Sequence, residues 1–219
     1  MTTTPSGRPL RIWDISPEVD ERAEVFPGDT RYSQQRHFSL TPGCPVNVNS
    51  ITLSPHTGAH ADAPLHYANG EASVGELGLT PYLGPCRVIH CIDCGPLVRP
   101  EHIAHALGDL PARVLLRTSR TASQGWASFT AIAPETIALL ATQAIAAPFL
   151  LIGIDTPSVD PATSQELPSH HQLLARGLRV LENLVLDEVA EGDYELIALP
   201  LKLTRADASP VRAILRQLS

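Results

Sequence analysis

Apolar positions in this chain gather into short runs with little helical spacing between them. Six runs rich in Val, Ile and Leu read as strands: Leu10 to Ser16, Pro45 to Ser54, Cys86 to Asp93, Ala112 to Thr118, Phe149 to Asp155 and Tyr194 to Leu203. Three segments carry helical character instead. EHIAHAL (Glu101 to Leu107) and PETIALLATQAIA (Pro134 to Ala146) space their apolar residues three and four apart, the second opening on a proline and ending before Pro148. SHHQLLAR (Ser169 to Arg176) is a third, stopped by Gly177. Twenty prolines and fourteen glycines punctuate the chain evenly, with no linker-like stretch and no internal repeat. Strands outnumber the helices that regular βαβ crossovers require. The predicted architecture is therefore a mixed α/β domain on an antiparallel or mixed sheet, one unit over residues 1–219.

Composition narrows the function classes. With 43% hydrophobic and 18% charged residues and no charge block, the 219 residues can bury a substantial core. A net charge of -7 and a pI near 5.7 oppose binding to a phosphate backbone, so no nucleic-acid partner is expected. No apolar stretch approaches the roughly 20 residues that span a bilayer, and MTTTPSGRPLRIWD has no secretory pattern. Cys44, Cys86, Cys91 and Cys94 do not form a disulfide framework, which points to a reducing cytoplasm.

The chemistry concentrates in HTGAHADAPLH. Three of the nine histidines, His56, His60 and His66, fall within these eleven residues together with Asp62. Imidazole nitrogen and carboxylate oxygen are the usual ligands of Zn or Mn, and such ligands must converge on one point about 2 Å away. Thr57, Gly58 and Ala59 supply a small turn between His56 and His60, whereas His60 and Asp62 share one face if extended. Pro64 forbids a helix through the motif. Residue chemistry alone thus supports a metal site of unspecified nuclearity and a hydrolytic role.

The chain resembles the bacterial kynurenine formamidases (arylformamidases) of the metal-dependent cyclase/amidohydrolase family along essentially its whole length. LRIWDISP, VFPGDT, PVNVNSITLSPHTGAHADAPLHY, LGPCRVIHC, LIGIDTPSVDP, the Leu181-Glu182-Asn183 region and GDYELIALPLKL followed by DASPVRAIL carry the likeness. It implies a swivelling β/β/α-type domain, a largely antiparallel sheet with flanking helices, and a homodimer. It also implies two divalent metal ions, Zn ahead of Mn. His56, His60 and Asp62 would bind one, Asp62 would bridge, and His170 with Glu182 would complete the second. His170 is favoured over His171 because it stands twelve residues before the glutamate, as in the family. A continuous helix would hold those two about 18 Å apart, so Gly177 must turn the chain back.

The implied reaction is hydrolysis of N-formyl-L-kynurenine to L-kynurenine and formate, in tryptophan catabolism. A metal-activated water attacks the formamide carbon, and His66 carries the proton to the departing aniline nitrogen. Phe26 stands where many relatives carry an aryl-stacking Trp, so stacking is retained without an indole N–H. Cys91-x-x-Cys94 lacks a partner pair and reads as buried structural thiols. No G-x-S-x-G elbow and no nucleotide-binding glycine motif occurs. Two other functions stay open at this point: hydrolysis of another aryl or cyclic amide, such as an isatin-type lactam, and noncatalytic metal or small-molecule binding.

Overall fold

The computed structural model describes residues 10–122, 125–143 and 148–218. In chain order the elements are β1 (Ile12–Asp14), β2 (Ser33–Phe38), β3 (Val48–Thr52), β4 (His60–Asp62), β5 (Leu83–His90), β6 (Leu97–Val98), α1 (Pro100–Ile103), β7 (Arg113–Arg117), β8 (Ala131–Ile132), α2 (Pro134–Gln143), β9 (Leu151–Ile154), α3 (Pro168–Ala175), β10 (Arg179–Glu182), β11 (Gly192–Ile197), β12 (Ala208–Pro210) and β13 (Ile214–Gln217). Nine of the strands form one sheet in the order β1-β13-β11-β5-β7-β9-β10-β4-β12. Its centre, β5-β7-β9-β10, is parallel, and the outer pairings on both sides are antiparallel. The mixed, largely antiparallel sheet with flanking helices is therefore what the chain builds.

Both faces of the central strands are buried, which is why those strands read as near-continuous apolar runs. Along β7, Leu115 enters a core with Ile15, Ala61, Leu181, Leu196 and Leu215, while Val114 and Leu116 enter a second one with Ile152, Val180, Ile137, Leu140 and Leu173. The second core is roofed by α2 and α3, whose buried residues fall three or four positions apart. Gly153 on β9 is the tightest point of the first: a Cβ there would meet Leu115 Cδ2 at 2.6 Å.

Differences from the sequence reading have local causes. The run Tyr194 to Leu203 is a strand only to Ile197, since Pro200 has no N–H to donate to a ladder. EHIAHAL is one α-helical turn, α1, followed by a 3-10 turn at Ala104–Ala106. Leu10 to Ser16 is strand over three residues only. The predicted end of the second helix at Ala146 lies outside the described residues. Strands β2, β4, β10, β12 and β13 had no clear pattern: three or four residues are too few for a period, and β2, SQQRHF, is almost wholly polar. None of the described helices is long and apolar enough to cross a membrane.

Candidate metal centre

Strand β4 lies between β10 and β12, and that pairing assembles the site. Ala61 points into the first core, so its neighbours His60 and Asp62 must point to the opposite face. On β10 the residue opposite His60 is Glu182, and on β12 the residue opposite Asp62 is Ala208. A register of that kind brings residues 60 and 182 into contact across 122 positions of sequence. His56 arrives through the turn that ends in Gly58, whose φ of +66° suits glycine. His66 follows on the 3-10 turn Pro64–His66.

His170 comes from α3, and Asp160 decides how. One Asp160 oxygen accepts the backbone N–H of Ser169 (3.0 Å) and the other that of His170 (3.0 Å), satisfying first-turn donors of the helix. The same carboxylate accepts His170 Nδ1–H at 2.7 Å. At the far end Gly177, φ +64°, reverses the chain, with Gly177 N–H on Leu174 O and Leu178 N–H on Leu173 O. The chain then returns along β10 to Glu182. Adjacent His171 is exposed on the other side of α3.

The donor atoms converge. His60 Nε2 stands 3.4 Å from Asp62 Oδ1 and 3.3 Å from Glu182 Oε2. His170 Nε2 stands 3.4 Å from Asp62 Oδ2 and 3.5 Å from Glu182 Oε1, and His56 Nδ1 stands 3.0 Å from Asp62 Oδ1. Two compact donor triads result, His56–Asp62–His66 and His60–Asp62–Glu182, with Asp62 common to both. Phe26 lies away from these atoms, half exposed, with its ring edge-on to Trp126 at 5.0 Å between centroids. Both aromatic rings line the same cavity of about 350 Å³ as His56, His60, His66, His170 and Glu182.

These residues fit divalent cations by three observations. Both oxygens of Asp62 and the Nε2 of His170 are buried without a hydrogen bond, so close approach there is not hydrogen bonding. Every converging ring is pinned at its other nitrogen: His60 Nδ1–H on Gly58 O at 2.9 Å, His170 on Asp160, and His56 Nε2–H on Asp207 Oδ2 at 3.0 Å. That is the outer support which metal-ligating histidines typically have, and it turns a lone pair inward. Third, the buried carboxylates of Asp62 and Glu182 have no Lys or Arg partner among the described residues. Burial opposes charge on all of these groups, yet the carboxylate contacts outweigh it, lifting His56 to about 10 and His170 well above the usual imidazole range. Asp62 is held well below the carboxylate range against burial, chiefly by His170 and His56. A site that recruits protons in this way is short of positive charge, which a bound cation supplies.

Asp160, Asp207 and Trp126 escaped the sequence reading. Asp207 opens DASPVRAIL, one of the blocks that carry the family likeness. Here its Oδ2 also takes His66 Nδ1–H at 3.2 Å, and the bond to His56, ahead of that to His66, holds the Asp207 carboxyl below the usual carboxylate range. The four cysteines are free, with Cys86 and Cys91 buried, Cys44 and Cys94 partly so.

The chain is similar to known proteins in both sequence and fold. A family model described as "Putative cyclase" matches residues 13–161. A kynurenine formamidase of Polaromonas naphthalenivorans (strain CJ2) is 80% identical over 214 residues, 98% of this chain and 94% of that protein. Another, of Bordetella avium (strain 197N), is 62% identical over 95% of this chain and 99% of its own. Among solved structures, a potential metal-dependent hydrolase with cyclase activity superposes with a TM-score of 0.80 at 26% identity, covering 96% of this chain and 100% of that one. Isatin hydrolase A from Labrenzia aggregata bound to benzyl benzoate gives 0.80 at 26% identity, over 96% and 94%. Matched in sequence and fold along nearly its whole length, the chain belongs to the cyclase family and groups within it with the kynurenine formamidases.

Proposed function

We propose that this chain is an arylformamidase that hydrolyses N-formyl-L-kynurenine to L-kynurenine and formate. The observation that carries the reading is the Asp62 carboxylate, buried with neither oxygen hydrogen-bonded and faced by imidazoles, in a chain 80% identical to a kynurenine formamidase. His56, His60 and Asp62 would hold one divalent ion, and Asp62, His170 and Glu182 a second; His60 faces Glu182 as closely as it faces Asp62. Zn is favoured and Mn suits the same ligands. When bound, such ions supply Lewis acidity toward a carbonyl and acidify water.

The residues account for the rest. His66 sits on the cavity wall with Nδ1–H held by Asp207, which leaves Nε2 to accept a proton from the attacking water and return it to the aniline nitrogen. Water oxygen bonds to the formyl carbon, the C–N bond breaks, and formate and the free amine leave. Phe26 and Trp126, which both line the cavity, would pack against the aryl group of the substrate. The reading extends to a homodimer in a reducing cytoplasm. The hairpin β2–β3 supports the first, since its residues are exposed on both faces and include Phe38 and Ile51; the free thiols support the second.

The test is turnover of N-formyl-L-kynurenine and isatin side by side, before and after chelation and after Zn or Mn is restored. Faster formamide cleavage, lost with the metal and regained with it, is expected. Turnover that survives complete metal removal overturns the reading, and preferential opening of isatin moves the substrate to a cyclic amide.

A further inference from the structure

One side-chain contact joins the two ends of the histidine cluster. Asp207 Oδ2 receives His56 Nε2 at 3.0 Å and His66 Nδ1 at 3.2 Å, and the two rings stand 4.3 Å apart between centroids. The carboxylate is fixed in place by backbone: Asp207 O accepts Ala63 N–H at 2.8 Å, and Ala208 next to it pairs with Asp62 across β12 and β4. Asp207 is thus an extension of the strand pairing that positions Asp62.

An ionised carboxylate only accepts hydrogen bonds. Each ring nitrogen facing Asp207 must therefore carry the hydrogen. With a divalent ion at the site, His56 is neutral and has one N–H, so the nitrogen turned from Asp207 keeps its lone pair: Nδ1 on His56, on the side of Asp62 Oδ1 3.0 Å away, and likewise Nε2 on a neutral His66. We propose that Asp207 is a positioning residue that sets the tautomers of both rings, holding His56 ready to ligate and His66 ready to take a proton at Nε2. Without it, either ring could present an N–H where a lone pair is needed. The kinetic half of this inference rests on the formamidase reading above; the tautomer half rests on the fold and on an ion being held at the site.

The zinc-loaded protein and its Asp207→Asn, Asp207→Leu and Asp207→Glu variants test it. Long-range proton–nitrogen correlation spectra of the histidine rings should show hydrogen on Nδ1 of His66 in the starting protein and a shift of population to Nε2 in Asp207→Leu. Zinc affinity should fall roughly 10-fold, as for other outer-shell partners of metal ligands. At saturating zinc, kcat of Asp207→Asn should still fall about 100-fold with KM within about twofold, and Asp207→Glu should recover part of it. In a His66→Ala background Asp207→Asn should reduce kcat no further. Hydrogen on Nε2 of His66 in the starting protein overturns the proposal, as do full recovery of Asp207→Asn by excess zinc or losses that multiply in the double variant. If the starting protein fails to cleave N-formyl-L-kynurenine, the formamidase reading falls, while the spectra still decide the role of Asp207.

Discussion

Adjacent residues of the same type differ here by where one carboxylate stands. His170 and His171 are indistinguishable by composition, and only Asp160, ten positions upstream of His170, selects the first by binding its backbone and its ring together. His170→Ala should lower metal affinity by more than roughly 100-fold, beyond what loss of an outer-shell partner does, whereas His171→Ala should stay within about twofold. Metal titration with a competing chelator reads both. The thiols make a second residue-scale prediction. Burial pushes Cys86 and Cys91 up to about 12 from an ordinary value of 9.0. In the unfolded chain they ionise first, so the stability they contribute is complete below pH 9.0 and declines as pH rises toward about 12. Denaturant midpoints should fall across that window. Iodoacetamide at pH 8 should label Cys44 well before either buried thiol, and equal labelling of the native protein would contradict their burial.

Among the elements, the turn between His56 and His60 couples backbone conformation to the site. Gly58 adopts φ +66°, a Cβ there would meet Val19 Cγ2 at 2.7 Å, and its carbonyl orients His60. Gly58→Ala should cost on the order of 1–3 kcal/mol in unfolding free energy and weaken metal binding with it. Chemical denaturation measures the first, and an unchanged midpoint would show that the turn tolerates a side chain. The hairpin β2–β3 carries the opposite signature: exposed on both faces, it stands outside the nine-stranded sheet. Isolated two-stranded hairpins are marginal in water, and the homodimer proposed above would cover this one. Phe38→Glu with Ile51→Glu should shift the mass in light scattering from dimer to monomer and leave far-ultraviolet dichroism unchanged. A monomer before substitution would refute the dimer.

At the level of the whole molecule, the proposed ligands on β4, β10 and α3 would tie metal binding to folding, because the unfolded chain has no such convergence. Zinc at 100 times its dissociation constant should stabilise the fold by about 2.7 kcal/mol, or roughly 5–10 °C in Tm. Calorimetry should show that increment vanish on chelation and in Asp62→Asn; an unaltered Tm would mean that these residues hold no ion. How far the sequence reached follows from range. Buried central strands were legible in apolar runs such as Arg113–Arg117, and the cluster His56, His60, Asp62 and His66 was legible because its members sit within eleven residues. Glu182 and His170 became candidates through family likeness, not through spacing. Asp207, Asp160 and Trp126 had no local signal at all, since a carboxylate or an indole has meaning only beside the ring it faces. Local pattern by itself determined the sheet-rich class and the presence of metal-binding chemistry, since side-chain period and ligand clustering are short-range properties. The tertiary structure alone decided which atoms meet, because strand register sets His60 opposite Glu182 and Ala208 opposite Asp62, and register is fixed by burying Ala61 and its core neighbours.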